Sequence, residues 1–133
     1  MTEKRRVTVR EVMKLHYDVV DGMMCVEDAL KAMKNKNNKS LIVEKRDEND
    51  EYGMVLISDV ATKVLAVDKS PKRVNIYEVM TKPIVTIDPE MDIRYAARLF
   101  DRFGLSRAPV VENGKVIGIV SYTDMVLKGM LEI

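Results

Sequence analysis

Residues 118–124 read GIVSYTD: a turn glycine, two apolar β-formers, then Ser121, Thr123 and Asp124 within four positions. An aspartate that follows a strand at the first turn of a helix has two carboxylate oxygens, able to accept from the two hydroxyls of a vicinal diol such as that of a ribose. Ser121, three residues earlier, and Thr123, immediately before, can reach the same ligand. The free amides of a helix start favour an anionic group nearby. The same residue types also make an ordinary helix cap. Arg107, in LSRAPVV ahead of an apolar strand, carries a guanidinium that can fork onto a phosphate or pair with one of the 21 acidic side chains.

The elements that position these residues occur twice. REVMKLHYDVVDG starts at Arg10 and YEVMTKPIVTIDP at Tyr77, an offset of 67 that also pairs Val26 with Ile93, Ala29 with Ala96 and Ser40 with Arg107. After the next strand the offset is 65, pairing Gly53 with Gly118 and Asp59 with Asp124, so the first copy holds two extra residues within KRDENDEY, a hairpin tip. Each copy reads as a short β segment (Asp18–Val20, Ile84–Ile87), then an amphipathic helix with one apolar stripe, on Val26, Ala29, Leu30 and Met33 or on Ile93, Ala96, Ala97 and Phe100. Asp92 is a good N-cap for the second of these helices; Cys25 is a poor one for the first, which should begin less crisply. Two strands follow (Leu41–Glu44 with Gly53–Ile57, Pro109–Val111 with Val116–Val120), the second pair joined by ENGK with its Asn-Gly hairpin signal, and a closing helix at Val60–Val67 or Met125–Leu131. The expected organisation is repeat 1 at 8–67, a polar linker at 68–74 and repeat 2 at 75–133. A half of this size is marginal alone. The expected fold is α/β, two β-α-β-β-α repeats related by a pseudo-twofold axis and packed sheet to sheet.

A β-α-β-β-α unit that ends in glycine, two apolar residues, Ser/Thr, two residues and Asp resembles the cystathionine β-synthase (CBS) domain, which occurs in tandem pairs. The second copy carries nearly every landmark, from EVMTKPIVTIDP to GIVSYTD; the first has the VM, the Ala-Leu helix and SLIV, but Leu56 replaces the hydroxyl residue and Ser58 remains beside Asp59. The resemblance covers almost the whole chain and implies a stand-alone pair of archaeal or bacterial type. It implies that Asp124, Ser121 and Thr123, with Asp59 and Ser58 in the first copy, hold the ribose and phosphate of an adenosine compound. Arg107, and Lys39 in the equivalent loop of the first copy, take the phosphate. Met13, Asp18, Met80 and Val85 stand at the positions that line the base pocket. AMP, ADP, ATP and S-adenosylmethionine all fit this expectation, and no cofactor is required.

Other chemistry is poorly served. There are no paired carboxylates, catalytic triad, metal-ligand spacing or Walker loop, so an enzyme is not expected. His16 is the only histidine and has no nucleophile or second ligand near it in sequence; Cys25 is the only cysteine, which fits a reducing, cytoplasmic setting and a packing role. The net charge of +1 gives no electrostatic case for strong nonspecific binding of nucleic acid, although a nucleic-acid-binding CBS protein stays an alternative. No run approaches the roughly 20 apolar residues of a membrane span. The function expected is a regulatory module that binds an adenosine compound between the repeats and signals to a protein partner. Apolar faces on the closing helices also point to a homodimer, a flat four-repeat disc, and to the alternative of a dimeric scaffold with vacant clefts.

Overall fold

The computed structural model describes residues 5–34, 38–82 and 84–133. Its elements are α1 (Val9–Val12), β1 (Val19–Val20), α2 (Val26–Lys31), β2 (Ser40–Val43), β3 (Gly53–Leu56), α3 (Ile57–Val60), α4 (Ile76–Val79), α5 (Ile93–Phe103), β4 (Arg107–Glu112), β5 (Lys115–Ser121) and α6 (Tyr122–Asp124). Helix α3 runs on as a π-helical turn at Ala61–Leu65, and α6 as a π-helical turn at Met125–Gly129 and a 3-10 turn at Met130–Glu132. The closing helices thus start right after the strands, three residues earlier than the apolar spacing alone indicates. The mixed α/β class read from the sequence is the class observed.

The chain divides into two compact units: one joins the N-terminal stretch through His16 to Val85–Ile133, the other is Tyr17–Ile84. These units are out of phase with the sequence repeats. The cause is apolar burial. Val7, Val9 and Val12 are at most 1% exposed and sit in one cluster with Ile93, Ala96, Phe100, Val110 and Val120. Val74, Ile76 and Val79 are buried in the other cluster, with Val26, Ala29, Leu41, Val43 and Val55. Each short helix that opens a repeat therefore completes the core of the unit built on the other repeat's strands.

Backbone pairing shows the duplication residue by residue. In the 85–133 unit, Lys14 N–H donates to the Ile119 carbonyl at 2.8 Å and Ile119 N–H to that of Lys14 at 3.0 Å; in the 17–84 unit, Thr81 and Met54 exchange the equivalent pair at 2.9 and 3.0 Å. Beside each bridge stands the glycine of the repeated signature. A Cβ on Gly118 would lie 2.8 Å from the Lys14 carbonyl oxygen and 2.8 Å from Met13 Sδ; one on Gly53 would lie 2.9 Å from Met80 Sδ and 3.3 Å from the Thr81 carbonyl oxygen. At Gly118 glycine is needed because a backbone passes close by, whereas at Gly53 the nearest atom is the flexible Met80 sulfur.

In the 17–84 unit β1 runs parallel to β2, and β2 antiparallel to β3, giving the order β1-β2-β3. The 85–133 unit has only β4 and β5, antiparallel. The strand expected over Ile84–Ile87 is reduced to one parallel bridge, Ile87 to Val110. The reason lies in one residue. Ile42 N–H donates to the Asp18 carbonyl at 2.9 Å, but the residue equivalent to Ile42 is Pro109, which has no N–H to give. The β4–β5 turn carries Asn113 and Gly114 at φ 53° and 77°, the left-handed pair that the Asn-Gly signal foretells. The caps also behave as read. Asp92 accepts from Arg94 N–H at 2.8 Å at the head of the 11-residue α5, whereas Cys25 Sγ accepts from Asp28 N–H only at 3.5 Å at the head of the six-residue α2.

Candidate functional site

In the 85–133 unit the polar set gathers where β5 gives way to α6. Strand register places Arg107 directly across from Ser121. Ser121 is the N-cap: its Oγ donates to Asp124 Oδ2 at 2.9 Å and accepts from Asp124 N–H at 3.3 Å, while Ser121 N–H donates to the same Oδ2 at 3.0 Å. This reciprocal box satisfies the first amides of the helix. It also spends one carboxylate oxygen, so Asp124 keeps only Oδ1 for other partners, not the pair of oxygens that its position in the sequence suggests. Oδ1 faces two ammonium groups, Lys128 Nζ at 3.4 Å and Lys14 Nζ at 3.8 Å. The Asp124 side chain is 1% exposed, a depth at which an unpaired carboxylate would be strongly destabilising. Arg107 is half-buried, and burial pulls its guanidinium below the usual pKa while the nearby Asp124 charge pushes the other way.

Thr123 is exposed, one position from this box. Met13 ends α1 and lies half-buried against the same core as Val85. Of the cations, Arg107 is visible from the sequence, while Lys14 and Lys128 are missed there. Lys128 has a signal, its i,i+4 spacing from Asp124. Lys14 has none, because only the bridge to Ile119 brings it in.

In the 17–84 unit the matching place is poorer. Leu56 caps α3 without any side-chain acceptor, and only half of the box forms, with Leu56 N–H donating to Asp59 Oδ2 at 2.9 Å. Asp59 Oδ1 lies 3.9 Å from Lys63 Nζ. Ser58 is exposed, and its carbonyl accepts from Thr62 Oγ1 at 3.0 Å. Lys39 is exposed and meets the set through its carbonyl, which accepts from Ile57 N–H at 2.9 Å. Ser40, paired in register with Leu56, is 3% exposed, and its Oγ has no hydrogen-bond partner among the described residues. Asp18 is buried, with Oδ1 accepting from Lys34 N–H at 2.9 Å, and Met80 ends α4 against the unit's core. The sequence candidates therefore form two groups. Asp124, Ser121, Thr123, Arg107, Met13 and Val85 belong to one unit; Asp59, Ser58, Lys39, Asp18 and Met80 belong to the other.

Among the described residues no three His, Cys, Asp or Glu side chains stand close enough to share a metal ion, and no helix is long and apolar enough to cross a membrane.

Comparison with known proteins agrees with this architecture. The CBS domain family matches residues 76–129. An uncharacterized protein of Methanopyrus kandleri is 33% identical over 125 residues, covering 91% of this chain and 62% of its own length. The chain spans less than two thirds of the length of several curated relatives that it matches. Among solved structures, the hexameric CBS-CP12 protein from bloom-forming cyanobacteria superposes with a TM-score of 0.88 at 38% identity, over 94% of this chain and 72% of that one. The CBS domain pair of protein MJ0100, solved in complex with 5′-methylthioadenosine and S-adenosyl-L-methionine, superposes with a TM-score of 0.77 at 23% identity, over 93% of this chain and 96% of that one, a likeness of fold.

Proposed function

The chain belongs to the CBS-domain family, and from that premise we propose that it is a regulatory module, not a catalyst, which binds an adenosine-containing ligand and passes its bound state to a partner protein. The observation that carries this reading is the buried pair Ser121 and Asp124 at the end of β5, with half-buried Arg107 across from it and a half-formed counterpart around Asp59. Support for the adenosine class comes from a protein of the same fold, MJ0100, whose CBS pair holds 5′-methylthioadenosine and S-adenosyl-L-methionine. In this reading Ser121, Thr123 and Asp124 hold the ribose and phosphate, and Arg107 meets the phosphate. Met13 and Val85 border the base in the same unit, while Asp59, Ser58 and Lys39, with Asp18 and Met80 beside the base, serve the weaker place in the other. Ligand binding shifts the balance between two arrangements of the module, and the partner reads the difference.

The test is thermal melting with AMP, ADP, ATP and S-adenosylmethionine. A compound at 100 times its dissociation constant adds about 2.7 kcal/mol, and Asp124→Ala removes that gain. If none of these compounds moves the melt, the reading fails.

A second reading concerns assembly. Leu65 at the end of one closing helix and Val67 in the turn just past it, and Leu127, Met130 and Leu131 on the other, are 54–77% exposed. A patch of this kind marks an interaction surface, and the cyanobacterial CBS-CP12 relative is a hexamer. We propose self-association through these helices, with a homodimer as the basic unit. Light scattering of the purified protein tests this, and a monomer at micromolar concentration refutes it. The single cysteine fits a reducing compartment, and the cytoplasm is the location proposed.

A further inference from the structure

The two units carry the same site scaffold with different charge. Three cations converge on Asp124 in the 85–133 unit: Lys14 Nζ at 3.8 Å, Lys128 Nζ at 3.4 Å, and Arg107, opposite Ser121 in the strand pair. One carboxylate cannot neutralise three cations, so this place holds a surplus of two positive charges. At the matching positions of the 17–84 unit, Lys14 becomes Thr81, Arg107 becomes Ser40, and Lys128 becomes Lys63. Among the described residues Lys63 is the one cation paired with Asp59 there, and these two charges cancel. In place of the arginine stands a hydroxyl, Ser40 Oγ, which is buried and has no partner among the described residues. A buried hydroxyl without a hydrogen bond is costly unless something that enters the site supplies one.

We infer that the two places take ligands of different charge: the 85–133 unit takes a phosphate-bearing adenosine compound, and the 17–84 unit takes an uncharged one that hydrogen-bonds Ser40. This rests on the adenosine reading above and adds a division of labour to it. Among the described residues no second carboxylate pairs with these cations, and a dianionic phosphate matches the surplus. In the second place Lys63 already pairs with Asp59, and the exposed Lys39 meets the set through its carbonyl, so a phosphate finds no comparable surplus of charge there. The module then senses two compounds, or two states of charge, through one duplicated framework.

The test is calorimetric titration of the full chain with AMP and with adenosine, at low and high salt. The wild type binds AMP at one strong site per chain, at least about tenfold tighter than adenosine, and raising the salt narrows that preference. Lys14→Thr, which writes the 17–84 unit's residue into the other unit, cuts the ratio of AMP to adenosine affinity by about fivefold to tenfold. The double variant Ser40→Arg/Thr81→Lys gains a second strong AMP site. Two equal AMP sites in the wild type, or an AMP-to-adenosine ratio that Lys14→Thr leaves unchanged, overturn the division while the adenosine reading stands. If neither compound binds, the adenosine reading falls and takes the division with it.

Discussion

Replacing Gly118 with alanine puts one methyl group where two strands of backbone already meet. Its Cβ would sit 2.8 Å from the Lys14 carbonyl oxygen and 2.8 Å from Met13 Sδ, while ordinary contact begins near 3.4 Å. Met13 can swing its sulfur aside. The carbonyl cannot, because it accepts from Ile119 N–H at 3.0 Å and its own residue donates back at 2.8 Å. Moving it by about 0.6 Å, the gap between 2.8 and 3.4 Å, stretches these bonds past useful length. Two hydrogen bonds at about 1 kcal/mol each and about 1 kcal/mol of strain, less roughly 0.5–1 kcal/mol gained from a stiffer unfolded chain, leave a loss of about 2 kcal/mol. For a chain of this size that lowers the melting temperature by about 5–8 °C. Gly53→Ala is the internal control. Its backbone neighbour, the Thr81 carbonyl oxygen, is 3.3 Å away, and only the mobile Met80 sulfur is closer, at 2.9 Å. That variant should lose no more than about 1 kcal/mol. Calorimetry on both variants decides. If Gly118→Ala melts with Gly53→Ala or above it, the bridges at Lys14 and Thr81 are not the rigid contacts described.

Other expectations follow from the caps and charges. Cys25→Ser gives Asp28 N–H a better acceptor than the sulfur at 3.5 Å, and urea unfolding should show a gain of about 0.5–1 kcal/mol; a loss would mean that the sulfur's packing outweighs its cap. Ser121→Ala breaks the box that satisfies buried Asp124 and should cost about 1–2 kcal/mol in the same assay. A cost no larger than that of an exposed serine would contradict the box. For pH, the hydrogen bond from Lys82 at 2.6 Å, helped by Arg46 N–H, holds the Asp50 carboxyl well below the usual carboxylate range. The Thr8 N–H does the same, more mildly, for Glu11. Both folded-state pKa values are lowered, so the stability they supply is full above the ordinary carboxylate values of 3.8 and 4.5 and drains away as pH falls through the folded ones. Melts at pH 7 and pH 3 should therefore differ, and the difference should shrink in Lys82→Ala; an undiminished difference would show that Asp50 is not the group responsible.

The strand pairs, the Asn-Gly turn and the α5 cap were legible in the sequence because each depends on residues close together in the chain, and the duplication because the same residue types recur at a fixed offset. What escaped depends on long-range pairing. Nothing near Val9 or Val12 says that they pack with Phe100 and Val110 and not with the helix that follows them. The loss of the strand at Ile84–Ile87 follows from Pro109, some 20 residues away, and shows only once strand neighbours are known. The candidate site was half legible. Ser121 and Asp124 do stand together, but as a reciprocal cap that uses one of the carboxylate oxygens, and the lysine at position 14 enters from a segment more than 100 residues earlier.

The central claim is that this duplicated scaffold binds adenosine compounds at the ends of β3 and β5. Its most direct test is equilibrium dialysis of the full chain against radiolabelled AMP, comparing wild type with Asp124→Asn and Asp59→Asn. Saturable binding to the wild type, greatly weakened by the change at Asp124, is the result expected here. AMP that stays equally divided across the membrane, or binding that neither aspartate affects, would contradict it.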